Sequence, residues 1–183
     1  MARFVPWIVV GLLLLCRPAE GTWSIVLTDK VSKEVAIGSV TCLNNFDLRA
    51  ITPVILAEVG GAAVQAAGDF DGIRRPVIYD GFLDGKSPEE ILEMLATIGG
   101  HHQRQYGIVD TFGRAVTFTG LSAFRWAGGV TGEVGNIVYA IQGNILAGSC
   151  VVPAMENAIL NTPGDIPAKL MAAMEVARVS GGD

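Results

Sequence analysis

Gly21 and Thr22 stand where two kinds of chemistry meet. The residues before them are built like an export leader. Arg3 supplies a positive start, Phe4 to Cys16 is apolar, and Arg17-Pro18 breaks the run. Ala19 and Gly21 then place small residues at the third and first positions before a cut. Cleavage after Gly21 would give Thr22 a free α-amine beside its own hydroxyl. An amine of reference pKa about 8 can take the hydroxyl proton, directly or through one water, and the Oγ can then attack an amide or ester carbonyl. The Gly21-Thr22 bond is also chemically suited to cutting itself. The plain alternatives are an uncleaved anchor and a threonine that simply starts a strand. The apolar run, at about a dozen residues, is short for a permanent span. Leu15 stands where a lipoprotein-type cut at Cys16 would want a small residue.

An attack on a carbonyl also needs donors for the developing oxyanion, worth about 3 to 4 kcal/mol each in known cases. Asn144 is the candidate side-chain amide, and Gly60 or Gly61 could present a backbone N–H. Thr41 could orient the amine. Against these stand a turn-forming Asn144 and a structural Thr41. His101-His102 invites a metal reading, but adjacent side chains in a loop point apart and no third ligand stands at a useful spacing. Asp69 and Asp71 flank a glycine-rich turn without the rest of a calcium loop. Phosphate loop, Gly-X-Ser-X-Gly elbow and dinucleotide fingerprint are all missing. No metal and no cofactor are therefore expected.

The chain has 183 residues and net charge −5. Removing 1–21, which hold Arg3, Arg17 and Glu20, makes the remainder one unit more acidic. About 160 residues are left, enough for one domain with a sizeable core. No basic cluster points to nucleic acid, and no second long apolar run points to a membrane once the leader is gone. The expected location is secreted or periplasmic. Cys42 and Cys150 could pair in an oxidising compartment, with an expected gain of about 4 to 5 kcal/mol, or remain two separate thiols.

The elements that must position these residues follow from local pattern. Thr22–Thr28 and Glu34–Cys42 predict a β-hairpin, with Lys30 and Lys33 in its turn and facing solvent. Pro53–Ala66 predicts two short strands or one bulged strand. Ile73–Phe82 predicts a short helix with Pro76 in its first turn. Ser87-Pro88-Glu89-Glu90 predicts a capping box, followed by an apolar stripe of Ile91, Leu92, Leu95 and Ile98. Gln105–Val109 and Ala115–Thr119 predict a second hairpin. Asn136–Gln142 predicts a further strand, and Val151–Leu160 and Pro167–Arg178 predict helices. The last would bury Leu170, Met171, Met174 and Ala177. Strands and helices come in runs rather than strict alternation, which favours an antiparallel α+β domain.

Several stretches resemble one family: Thr22-Trp-Ser-Ile-Val, Glu34-Val-Ala-Ile, Gln105-Tyr-Gly-Ile-Val-Asp110, Gly113-Arg-Ala-Val-Thr-Phe-Thr-Gly120, Trp126-Ala-Gly-Gly and Tyr139-Ala-Ile-Gln-Gly-Asn144. It is an uncharacterised bacterial and archaeal family assigned to the N-terminal nucleophile (Ntn) hydrolase fold, with some members linked to peptidoglycan. The resemblance implies a four-layer α/β/β/α sandwich of antiparallel sheets over 22–183, with Thr22 as nucleophile. It implies a small amide or peptide substrate, from a peptide or a cell-wall fragment. A homo-oligomer is compatible with it. Two departures stand out. Thr41-Cys42 replaces the Ser-Lys found in many relatives, which removes the lysine that tunes proteasome-like sites. Relatives also continue past Gly181-Gly182-Asp183 with another strand, so the domain is either short or C-terminally truncated. The rival expectation is a non-catalytic binding or structural domain that retains the fold.

Overall fold

β1 (Thr22–Asp29) is buried continuously from Trp23 to Thr28, so both of its faces are covered. Alternate side chains along a strand point opposite ways. Trp23, Ile25 and Leu27 enter one core, packed with helical residues such as Val151, Met155 and Ala177. Val26 enters another, with Ala63, Val109, Val138 and Ala140. The second core is the filling between two sheets. The computed structural model describes residues 21–45 and 47–182. Of the leader expected at 1–21, all but Gly21 lies outside the described residues.

The remaining elements are β2 (Val35–Thr41), β3 (Pro53–Leu56), β4 (Gly60–Ala66), α1 (Arg74–Leu83), α2 (Pro88–Ala96), β5 (Arg104–Asp110), β6 (Ala115–Thr119), β7 (Ala127–Val134), β8 (Ile137–Asn144), α3 (Val151–Asn161) and α4 (Ile166–Val179). One sheet has the order β2-β1-β8-β7 and the other β3-β4-β5-β6. Every pairing is antiparallel. α3 and α4 cover the outer face of the first sheet. α1 and α2 cover the second, over Val64, Tyr106 and Ile108. The result is the expected α+β fold in four layers, α/β/β/α.

The α2 start forms as its residues require. Ser87 Oγ accepts from the Glu90 N–H at 3.2 Å, and Glu90 Oε2 accepts from the Ser87 N–H at 2.7 Å. The Ser87 N–H bond to its carboxylate holds the Glu90 pKa below the usual range. We expect Ser87→Ala to cost about 1 kcal/mol in urea unfolding, the usual worth of such a cap.

Three expectations are corrected. β7 was not foreseen, because Ala-Gly-Gly-Val-Thr-Gly-Glu-Val has no aromatic residue and its β-branched residues are interrupted by glycines, which weakens the strand signal. Its glycines answer a packing need: a Cβ on Gly128 would lie 2.6 Å from the Trp126 ring. On α4, Ala177 is buried and Leu170 and Met174 pack on the core as expected, but Met171 is exposed, and Ile166, Lys169 and Ala173 are buried as well. Lys169 can be buried because its Nζ donates to the Ile159 and Thr162 carbonyls at 2.8 and 2.6 Å, closing the C-terminus of α3. Lys30 and Lys33 also do not simply face solvent. Lys30 pairs with Glu133 at 3.0 Å, and Lys33 donates to the Thr111 carbonyl at 3.0 Å.

Candidate functional site

Sheet register puts Thr41, Thr22, Asn144 and Ala127 in one row across all four strands of the first sheet. In the second sheet Gln65, Gln105 and Thr119 form a row of their own. Thr22 shares its strand face with Ser24 and Val26, which look toward the second sheet. The two rows therefore confront each other at one end of the sandwich.

Hydrogen bonds tie the rows together. Gln65 Nε2 donates to the Thr22 carbonyl at 3.1 Å and to Gln105 Oε1 at 2.9 Å. Asn144 Nδ2 donates to Gln105 Oε1 at 2.9 Å and reaches the Thr22 carbonyl at 3.5 Å. Gln105 Nε2 in turn donates to Thr119 Oγ1 at 3.0 Å and to the Gly143 carbonyl at 2.8 Å. One row deeper, Ser39 donates to Ser24 at 2.9 Å, and Ser24 donates to Gln65 Oε1 at 2.5 Å. Gln65, Gln105, Asn144 and Ser24 are all buried. These bonded amides hold the Thr22 backbone from below.

Thr22 itself is half-buried, and its Oγ1 shares a hydrogen bond of 2.8 Å with Thr41 Oγ1. The sequence suggested Thr41 as a group to orient the amine; the contact it makes is with the Thr22 hydroxyl instead. A directly opposed pair on neighbouring strands places two side chains within such reach. Asn144 also meets Thr22, but its Nδ2 is committed to Gln105 and to the Thr22 carbonyl. Gln65 and Gln105 were not singled out from the sequence. A glutamine inside a strand has no local signature, and these two acquire meaning only when the sheets stack.

Gly21 is buried immediately ahead of Thr22. Its carbonyl accepts the Cys42 N–H at 3.0 Å. A Cβ there would lie 2.6 Å from the Gly182 carbonyl oxygen and 3.0 Å from that of Asn144, so only glycine fits without a shift. Beyond Ala127 the same end of the sandwich opens into a cavity of about 600 Å³. Thr119, Leu121, Arg125, Trp126 and Leu146 are among its walls. Thr119 thus touches both the cavity and the amide network.

Other candidates fall elsewhere. Gly60 and Gly61 pair with Asp110 and Val109 at the far end of β4, about 15 Å along the strand from Gln65, so they supply no N–H beside Thr22. The His101 ring packs on Phe118 and Tyr106 at centroid distances of 4.0 and 5.6 Å. Asp69 caps the start of α1, accepting from the Arg74 and Arg75 N–H groups, and Asp71 binds the Arg74 guanidinium at 2.8 Å. No group of potential metal ligands occurs among the described residues. No disulfide joins Cys42 to Cys150. Cys42 follows the edge strand β2, whereas the exposed Cys150 precedes α3 in the outer helical layer.

Residues 22–183 match a family of unknown function, DUF1028. The chain belongs to that family. The match begins at the first residue of β1 and takes in both sheets and all four helices of the DUF1028 domain. A crystal structure of a DUF1028 protein from Silicibacter pomeroyi is similar, with a TM-score of 0.77 at 23% identity, over 88% of this chain and 69% of that one. At this identity the likeness is one of fold. No curated protein matches the chain.

Proposed function

We propose that this DUF1028 domain is an exported Ntn-type hydrolase of an amide bond, in a peptide or a cell-wall fragment, with processed Thr22 as nucleophile. The observation that carries the reading is the place of Thr22. It heads a central strand, its hydroxyl meets Thr41, and a buried amide network holds its backbone. The start of the family match at the same residue supports it.

The chemistry balances with groups already present. In a self-cut, Thr22 Oγ attacks the Gly21 carbonyl carbon, whose oxygen the Cys42 N–H already polarises. The C–N bond breaks, the leaving nitrogen takes the proton given up by the hydroxyl, and water hydrolyses the resulting ester. A signal peptidase would reach the same end. With Gly21 gone, the Cys42 N–H faces the seat its carbonyl occupied, and a substrate carbonyl can take that seat as its oxyanion develops. Thr22 Oγ attacks as the α-amine takes its proton. The ammonium returns that proton to the leaving amine, and a water activated by the amine releases the acid. Thr41 positions the hydroxyl, and Asn144 and Gln65 hold the backbone. We expect Thr41→Val to lower kcat about tenfold or more with little change in KM, read in steady-state kinetics.

The second reading, a non-catalytic binding domain, is favoured by one observation. Lys30 and Lys33 are bound about 25 Å along β1 from Thr22, and no lysine joins the described network around the hydroxyl. The deciding comparison uses two proteins, one starting at Thr22 and one keeping Gly21 ahead of it. Amide turnover by the first alone supports the hydrolase. Equal turnover by a Gly21-retaining protein that stays uncut by mass would remove the amine from the mechanism, and turnover by neither across a peptide and muropeptide panel favours the binding domain.

A further inference from the structure

On the helix-covered face of the second sheet, four buried polar atoms without hydrogen-bond partners gather in one place. They are Arg74 Nε, Arg104 Nε, Tyr106 Oη and His101 Nδ1. Buried polar groups are nearly always satisfied, so such a concentration asks for a missing partner. Arg74 is 1% exposed, Tyr106 0% and Arg104 9%.

The charges do not balance. Arg74 is held by Asp71 at 2.8 Å, with Asp69 at 3.7 Å, and donates to the Gly99 carbonyl at 2.5 Å. Arg75 pairs with Asp69 at 3.6 Å. Arg104 joins no ion pair among the described residues. Burial first, and then the like charge of Arg74, pull its pKa down. A buried charge without a counter-ion is costly. Burial likewise pushes the Tyr106 phenol pKa up, so its hydroxyl keeps its proton and can donate. Burial also lowers the His101 pKa.

There is also room. A Cβ on Gly100 would lie 3.7 Å from Arg74 Nη2, 3.8 Å from Arg104 Nη1 and 3.7 Å from Gln103 Oε1. Glycine leaves that cradle open, and its φ of +77° suits glycine at this position. Gln103 is exposed and can present either end of its amide. Gly100 is only half-buried, so a small ion can enter from solvent.

We propose that this cluster binds a small oxyanion, a carboxylate or a phosphate group, between the guanidinium groups of Arg104 and Arg74 and beside the Tyr106 hydroxyl. Planar guanidinium donors match such groups two bonds at a time. Arg104 and Gln105 are successive residues of β5 and face opposite ways. The site is thus separate from the one around Thr22 and does not rest on the hydrolase reading.

Thermal unfolding of the full chain in rising inorganic phosphate, and separately acetate, at constant ionic strength tests it. A saturable rise in melting temperature is expected with at least one of the two, and the comparison distinguishes the ion classes. Arg104→Gln should weaken that ion at least about tenfold. Tyr106→Phe should fold normally and bind more weakly than wild type. Arg125→Gln, in the cavity near Thr119, should leave the rise unchanged. If Arg104→Gln does not fold, Arg104→Lys carries the same criterion, because it keeps the charge and loses the fork. No saturable rise with either ion would overturn the proposal. So would an equal rise in wild type and the Arg104 variant, or loss of the rise in Arg125→Gln alone.

Discussion

Thr22→Ala, in protein that starts at residue 22, removes amide turnover by at least about a thousandfold. The substitution takes away the proposed nucleophile and leaves the α-amine. Among the described residues it also breaks only one hydrogen bond, the 2.8 Å contact with Thr41. The amide network binds the Thr22 carbonyl, which alanine retains. Stability should therefore fall by no more than about 1 kcal/mol. Thr22→Ser, which keeps an alcohol, should retain measurable turnover. Steady-state kinetics and urea unfolding on the same preparations separate the two effects. The wild-type rate should rise with pH through the amine's ionisation, near about 8, because only the neutral amine can accept the hydroxyl proton.

Gln105→Leu carries the largest expected cost to stability. Gln105 Oε1 is the shared acceptor for Gln65 Nε2 and Asn144 Nδ2, both at 2.9 Å. Its Nε2 serves Thr119 and the Gly143 carbonyl. Leucine keeps the volume and strands donors and an acceptor between two sheets, where water does not replace them. Each abandoned group costs about 1 to 3 kcal/mol, so about 4 kcal/mol in total is expected. For a domain of this size that lowers the melting temperature by about 10 °C. Gln103→Leu, at an exposed position two residues away, should change stability by less than about 0.5 kcal/mol. Calorimetry or thermal circular dichroism reads both.

Local rules were legible wherever a few neighbouring residues decide the structure. The Ser87 capping box, the β1–β2 and β5–β6 hairpins and the proline-led helix starts all depend on contacts within one turn. β7 escaped because its glycines answer to Trp126 and to strand packing rather than to strand propensity. On α4, the burial of Lys169 escaped because it reads as a surface residue until the α3 carbonyls that receive it are in place. At the site, Thr22 and Thr41 were recognisable as residues, and sheet register then made them neighbours. Gln65 and Gln105 meet Thr22 and Asn144 only across stacked sheets, a relation that no spacing along the chain encodes. The Cys42 N–H is a backbone group and leaves no mark in the sequence at all. The Arg74 and Arg104 cluster was hidden for a similar reason, since it joins a helix start to a strand start through a loop glycine.

Every step of substrate turnover proposed for Thr22 requires a free amine on that residue. Intact-mass analysis of the protein recovered after export tests this most directly. The account predicts a single species whose mass corresponds to residues 22–183. A species that begins at Ser24, or that keeps any residue ahead of Thr22, would contradict it.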